Sequence, residues 1–323
     1  MHLRLAFIMA AFLVQHNHGK ARVRVLKVHR ETARRHRVCE MTVETTLFSA
    51  EYEKVYTEGD NGGLIATDTQ KNTVYVVAKT CPMESPEQFA EALARHFIRK
   101  YPVLSGIEVT VKQHAWQRVI AADGVEHAHG FTAQGPEYAL ATVSLERGAA
   151  PRMVSAIKSF VFLKTTQSGF ENFLRNEHTT LPETNERCLS SVLNAEWQYT
   201  AARDSLPNGV DYAATRAEVR RCILEGILGP ADTGVYSPSL QRTVYNAGCH
   251  VLTNVAAVQS IFIDTPNVHY IPVAPLGTAG FENDIFMPTS DPAGTICCTL
   301  SRSSTPSSTI GPSPGGVHMR SKL

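Results

Sequence analysis

The sequence predicts an α+β fold with antiparallel sheets, and three observations carry that reading. Strand-like segments come in pairs separated by short turns. Helical segments also come in pairs, so no regular β-α-β alternation is present. The theme then occurs a second time after a break at Gly148-Ala149-Ala150-Pro151, in a chain of 323 residues long enough for two domains.

Val23 to Val28 reads as a strand and Cys39 to Leu47 as its partner. The Arg/His-rich run Arg30 to Arg37 between them reads as a solvated hairpin loop rather than a nucleic-acid patch. Gly59 to Gly63 is a turn cluster ahead of Leu64 to Asp68, and Thr73 to Ala78, with its β-branched run, reads as a strand. Ser85-Pro86-Glu87-Gln88 opens a helix: serine as cap, proline at the first position and glutamine closing a capping box. Phe89, Leu93, Phe97 and Tyr101 then recur four apart on its buried face. Val103 to Val119 alternates like a strand, Asp123-Gly124 is a hairpin turn, and a strand pair is expected over 127–132 and 138–145.

In the second half an apolar strand ending at Leu163 runs into a turn at Gln167-Ser168-Gly169. Phe170, Phe173 and Leu174 then recur at helical spacing, predicting a helix over 170–177, and the stretch closes on Arg187. A strand from Leu189 to Tyr199 precedes a helix over 212–228, ended by Gly229-Pro230, and a second helix starting at Ser237-Pro238. Val258 to Ile263 and Val268 to Val273 read as a last hairpin across Thr265-Pro266-Asn267. Residues 303–323 are Ser/Pro/Thr/Gly-rich and read as a flexible tail.

Hydrophobic residues make up 43% and charged residues 19%, and 31 Lys plus Arg against 30 Asp plus Glu leave a net charge of +1. That balance excludes global steering toward nucleic acid or an acidic membrane. The seven cysteines are odd in number, scattered and without a Cys-x-x-Cys. They are expected to be reduced thiols, mostly buried, rather than a disulfide framework or zinc site. The termini give conflicting addresses. The first 19 residues hold an apolar run, Leu5 to Val14, too short to span a bilayer but long enough for a signal-peptide core. The chain ends in Ser321-Lys322-Leu323, a peroxisomal import tripeptide in form, and the peroxisome is the expected location.

The dinucleotide and P-loop glycine patterns, the Gly-x-Ser-x-Gly elbow and His-Glu-x-x-His are all absent. His127-Ala128-His129 would put two rings on one side of a strand, as a metal pair needs. With no companion ligand at suitable spacing, a hairpin with structural histidines is the expectation. A strand–turn–aromatic–arginine stretch such as 158–187 could grip a flat, polar, anionic ligand.

The chain resembles the urate oxidase (uricase) family. The matching pieces are Gly19-Lys20 before VRVLKVHR, IATDTQKNTVYVVAK at 65–79, DGVEHAHGF at 123–131 and FLKTTQSGFENFLRNEHTTLPETNERC at 162–188. They continue with VYSPSLQ at 235–241, TPNVHY at 265–270, SDPAGT at 290–295 and the final SKL. The resemblance implies two tandem tunnelling-fold (T-fold) domains, here 20–148 and 149–302. It further implies a homotetramer with active sites at subunit interfaces, and oxidation of urate by O2 to 5-hydroxyisourate and hydrogen peroxide with neither cofactor nor metal.

Carried over position by position, the resemblance implies that Lys20, Thr67 and His269 relay protons. A lysine can serve as a base only where burial or a neighbouring cation lowers its pKa. It implies that Arg187 grips one edge of the purine with its planar fork and Gln241 the other with an amide that donates and accepts. Phe170 would stack on the ring, Asp68 and Leu240 would contribute backbone groups, Leu181 would line the pocket, and Asn267 would orient water or O2. Leu240 stands where many members have valine, and the segment from Pro272 to Met287 is short for the family. Taken singly, these residues read as a strand-edge lysine, a loop threonine, a strand histidine, a packed phenylalanine and a surface arginine. Two other readings stay open: a purine-binding or scaffold relative without turnover, and a T-fold enzyme acting on pterins. The latter would need a zinc or glutamate-anchored site, and no glutamate stands where Arg187 and Gln241 would meet the substrate.

Overall fold

The computed structural model describes residues 11–200, 209–273 and 284–303. The apolar leader over 5–10, most of the segment between Pro272 and Met287, and the tail beyond 303 lie outside the described residues.

The element order β-β-α-α-β-β occurs twice. The first set is β1 (His18–Arg30), β2 (His36–Phe48), α2 (Thr67–Thr80), α3 (Pro86–Lys100), β3 (Gly106–His114) and β6 (Tyr138–Glu146). A short α1 (Glu53–Thr57) precedes α2, and a hairpin of β4 (Trp116–Ile120) and β5 (Glu126–Ala133) stands apart as a two-stranded sheet. The second set is β7 (Arg152–Lys164), β8 (Leu189–Tyr199), α4 (Tyr212–Leu228), α5 (Leu240–Asn254), β9 (Val258–Pro272) and β11 (Thr295–Ser301), with β10 (Phe286–Thr289) also on β9. The strands form one antiparallel nine-stranded sheet in the order β1-β2-β3-β6-β7-β8-β9, with β10 and β11 both pairing with β9. Helix α3 packs on β3 and β6, and α5 on β9 and β11. The core between helices and sheet includes Phe89, Leu93, Phe97, Val109 and Val143 in the first set, and Leu193, Trp197, Val244, Val251 and Ile261 in the second. The α+β class is as the sequence predicts.

Several local expectations are corrected. Thr73 to Ala78 is not a strand but the middle of α2. Gln70, Thr73, Val74, Val77 and Ala78 are buried, a period of three to four, while Val76 is 62% exposed. The β-branched run points to a strand only if the burial period is ignored. No helix forms over 170–177. Phe170 makes an antiparallel bridge with Thr184, Asn172 takes a positive φ of 58°, and its N–H is taken by Glu183. Leu174, which would complete the helical stripe, is 94% exposed.

The last hairpin is instead one strand, β9. Its register against β8 is the same on both sides of Pro266, as Asn194 pairs with Asp264 and Ser191 with Asn267. The proline, with no N–H to offer, occupies a gap in that ladder. The span from Val103 to Val119 breaks at Ala115 into β3 and β4, and β5 pairs with β4 rather than with β6. Helix α5 starts at Leu240 with Ser239 as cap, not at Ser237. All seven cysteines are free, but only Cys39 and Cys222 are buried and Cys297 is exposed. Ser85 caps α3 as expected, accepting from the Gln88 N–H.

Candidate active site

The candidate residues fall into two groups. The first is built on β1 and α2. Gly19 lies so close to β2 that a Cβ there would sit 2.3 Å from the Thr45 carbonyl oxygen, so only glycine fits. A register shift between Lys20 and Val23, with Arg22 at a φ of 58°, makes a bulge just after Lys20. Such bulges re-aim side chains at strand ends. Thr45 donates to the Gln70 side chain at 2.8 Å, and Gln70 in turn donates to the Ile65 carbonyl, which also bonds the His18 ring. This network ties the Lys20 segment to the first turn of α2, where Thr67 and Asp68 stand. Lys20 and Thr67 are half-buried and Asp68 is exposed. Its carboxylate is drawn along the helix by Lys71 (2.6 Å) and Asn72 (2.9 Å), and the Lys71 hydrogen bond holds it below the usual carboxylate range. No side chain caps α2, since its cap is Ala66. The first-turn N–H groups and the positive end of the helix dipole are therefore open to an anionic oxygen.

The second group is built on the loop between β7 and β8, the start of α5, and β9. The Arg187 guanidinium lies over the Phe170 ring at 5.5 Å, while Phe173 stacks on Phe170 with ring centroids 4.8 Å apart. Arg187 is positioned from behind by Ser168, whose carbonyl accepts its N–H at 2.9 Å and whose hydroxyl lies 3.4 Å from its Nε. Burial pulls the Arg187 pKa down from its usual value, yet a guanidinium stays charged at neutral pH. Ser168 also bridges to Ser237, with the Ser237 N–H bonding Gln167 and the Gly169 N–H bonding the Ser237 carbonyl. Three residues on, α5 begins with Leu240, buried in the core, and Gln241, exposed. The 167–169 ladder thus links the arginine to the glutamine. Leu181 is 52% exposed, and its carbonyl accepts from Arg175.

On β9, Asn267 and His269 are two residues apart and share a face. Asn267 gives its N–H to Gly294, but its side-chain Oδ1 is buried without a partner. A buried amide oxygen left unpaired is costly unless a ligand or water meets it. His269 is exposed, beside Thr289 of β10.

The two groups do not meet within one chain. No hydrogen bond, ion pair or ring contact joins them among the described residues. Lys20 on β1 and Asn267 on β9 are six strand spacings apart, about 29 Å along the sheet at roughly 4.8 Å each. A cleft of about 620 Å³, lined among others by Trp116, Tyr138, Ser159, Arg216 and Arg220, includes none of the candidate residues.

The sequence reading missed the Ser168–Ser237 bridge, which has no motif of its own, and the unpartnered Asn267 oxygen. It also missed Lys164, whose place beside two threonines gave no sign that it is buried. His127 and His129 both lie exposed on β5. Their rings meet edge-on at 4.7 Å, and His127 Nδ1 accepts the His129 N–H. Among the described residues one other group has metal-like donors, Cys222, Glu225 and His250, within 4.8 Å of one another. Arg221 bonds Glu225 and lies 3.6 Å from the Cys222 sulfur, while the His250 ring contacts Glu225 at 3.0 Å.

The fold is that of a tandem T-fold protein, with an arginine-on-aromatic grip on one repeat and an uncapped helix start on the other. Comparison with known proteins makes the assignment specific. The uricase family model matches residues 16–144 and 153–297. Uricase from Arabidopsis thaliana is 41% identical over 88% of this chain and 94% of its own. Uricase-2 from Phaseolus vulgaris is 39% identical over 91% and 97%. The crystal structure of uricase from Arthrobacter globiformis superposes with a TM-score of 0.81 at 31% identity, covering 92% of this chain and 97% of that one. The chain belongs to the uricase family.

Proposed function

We propose that this protein is a urate oxidase: it oxidises urate with O2 and water to 5-hydroxyisourate and hydrogen peroxide. The observation that carries the reading is the Arg187 guanidinium, fixed over Phe170 and backed by Ser168, in a chain of this family. Urate is planar, rich in carbonyls and anionic. Phe170 offers its face, the Arg187 fork gives two charge-assisted hydrogen bonds to one edge, and the Gln241 amide pairs with the other. The N–H groups at the start of α2 suit a urate oxygen, with the Thr67 hydroxyl beside them.

Urate stripped of two protons is electron-rich enough to reduce O2 directly. Two electrons pass from the dianion to O2, peroxide takes two protons, and water adds at C5 of the oxidised ring. In this reading Lys20 and Thr67 withdraw protons from urate, His269 returns protons to peroxide, and Asn267 orients water or O2 above the ring, its unpartnered oxygen accepting from water. The protein supplies orientation and proton transfer, without a cofactor.

The separation of the two groups across the sheet supports a site completed by a second copy of the chain. Lys20, Thr67 and Asp68 then come from one subunit, and Phe170, Arg187, Gln241, Asn267 and His269 from another, with Leu181 covered by the junction. A homotetramer with two T-fold domains per chain, 20–148 and 149–302, fits that arrangement. Among the described residues no helix is long and apolar enough to cross a membrane. The Ser321-Lys322-Leu323 tripeptide supports recognition by a peroxisomal import receptor, and a peroxisome destroys the peroxide product.

The test is purified protein, stripped of metal, given urate in air. Loss of the urate absorption band with release of one peroxide per urate is expected. Folded, assembled protein that binds a purine analogue yet releases no peroxide would show a binding relative instead.

A further inference from the structure

Lys164 is a buried lysine at the end of β7, 7% exposed. Its ammonium reaches three acceptors: the Ile227 carbonyl at 3.3 Å, the Val235 carbonyl, and the Ser237 hydroxyl at 3.1 Å. These use all three ammonium protons. The first acceptor belongs to the last turn of α4, the negative end of its dipole, where α4 has no basic residue of its own. The other two belong to the segment that crosses from α4 to α5. A lysine is rarely buried this fully, and desolvation lowers its pKa. A methionine would fill the same space without that cost, so the charge answers a need other than packing.

The need lies in what Ser237 does. Its N–H and carbonyl form the two-way ladder with Gln167 and Gly169, next to the Ser168 that backs Arg187 and the Phe170 that stacks. Two residues later Ser239 caps α5, and Gln241 follows. Ser237 is thus the joint between the arginine and glutamine sides of the grip. Lys164 holds that joint against both the sheet and the end of α4.

We infer that Lys164 is a positioning residue for purine binding: through Ser237 it sets the spacing between Arg187 with Phe170 on one side and Gln241 on the other. It touches no substrate. Part of this inference rests on the urate reading above, and part on the fold alone, so the experiment has two readouts.

Lys164→Met in the full-length assembled protein is compared with the unaltered protein. The first readout is steady-state turnover of urate. A displaced grip raises KM by about 10- to 100-fold, with kcat at saturation falling less than about threefold. A lysine that only stabilised the fold would lower the active fraction and leave KM alone. The second readout is amide hydrogen exchange, which needs no substrate. Protection at Gly169 and Ser237 falls at least about tenfold, while amides of α3 keep theirs. Should Lys164→Met not fold, Ser237→Ala removes one of the three acceptors and moves both readouts in the same direction by a smaller amount. Unchanged KM and unchanged exchange in a folded variant overturn the inference and leave the urate reading standing. Unaltered protein that releases no peroxide overturns the urate reading, and the exchange result then still decides whether Lys164 holds the joint.

Discussion

Replacing Arg187 with glutamine removes the fork and its charge while keeping a polar side chain of moderate length. In the unaltered protein the guanidinium is half-buried, rests on Phe170 at 5.5 Å and is oriented by Ser168. Its direction is fixed before substrate arrives, so little entropy is spent on binding. Two hydrogen bonds to an anionic purine edge are each worth about 1.5–3 kcal/mol. Glutamine can restore one neutral bond of about 1 kcal/mol. The net loss is about 3 kcal/mol, about 100-fold in kcat/KM. The lost contact with Phe170 costs the fold only about 0.5–1 kcal/mol, so the variant stays folded. Arg187→Lys keeps the charge without the fork and should recover roughly tenfold of the loss. The assay is initial urate loss over a range of urate concentrations, with circular dichroism to confirm folding. A folded Arg187→Gln variant within about threefold of the unaltered kcat/KM would refute the assignment of Arg187 to the substrate.

Lys20→Met and Thr67→Ala are each expected to lower kcat by about 100-fold or more, while a purine analogue binds within a few-fold of normal. Equal losses in binding would argue against a proton-relay role. Gly19→Ala forces a Cβ to within 2.3 Å of the Thr45 carbonyl oxygen, so β1 must shift. A stability loss of about 1–3 kcal/mol in denaturant unfolding, with a fall in kcat as Lys20 moves, is expected. Glu87 is wholly buried and bonded by Arg216 at 2.7 and 2.8 Å and by Ser155 at 2.7 Å. Arg216→Met strands that carboxylate and should cost about 3–5 kcal/mol, with much of the loss recovered by adding Glu87→Leu. A loss below about 1 kcal/mol for the single change would mean that the pair does not hold α3 to α4.

Where one burial period runs uninterrupted, the sequence is legible. The four-residue recurrence of Phe89, Leu93 and Phe97 and the Ser85 cap locate α3 directly. Trp197 and its alternating neighbours locate β8. Thr73 to Ala78 misleads because strand-favouring residues sit in a helix whose burial is set by packing, not propensity. The 170–177 stretch misleads in the opposite sense. Its apolar spacing is helical, but Phe170 and Phe173 stack on each other and its backbone bonds go to Thr184 and Glu183. Pro266 suggests a turn, whereas the ladder simply passes it.

The candidate residues were legible only as a set. Lys20, Thr67, Arg187 and Gln241 each have an ordinary explanation alone, and only their joint spacing carries a family signature. The parts that hold them in place were not legible. The bonds from Lys164 to Ile227 and Ser237 join residues 63 and 73 positions apart, and no local pattern encodes such pairings. Nor does any pattern show that the two groups lie at opposite reaches of one sheet.

A site shared between two subunits follows from that separation, and mixed assemblies reveal it. Lys20→Met and Arg187→Gln chains are each expected to be nearly inactive alone. Co-expressed in equal amounts, a site shared between two subunits draws an intact Lys20 from one chain and an intact Arg187 from the other in about a quarter of cases. Peroxide production recovering to about a quarter of the unaltered rate per site is expected. Mixed assemblies that form normally yet stay as inactive as either variant alone would contradict a shared site.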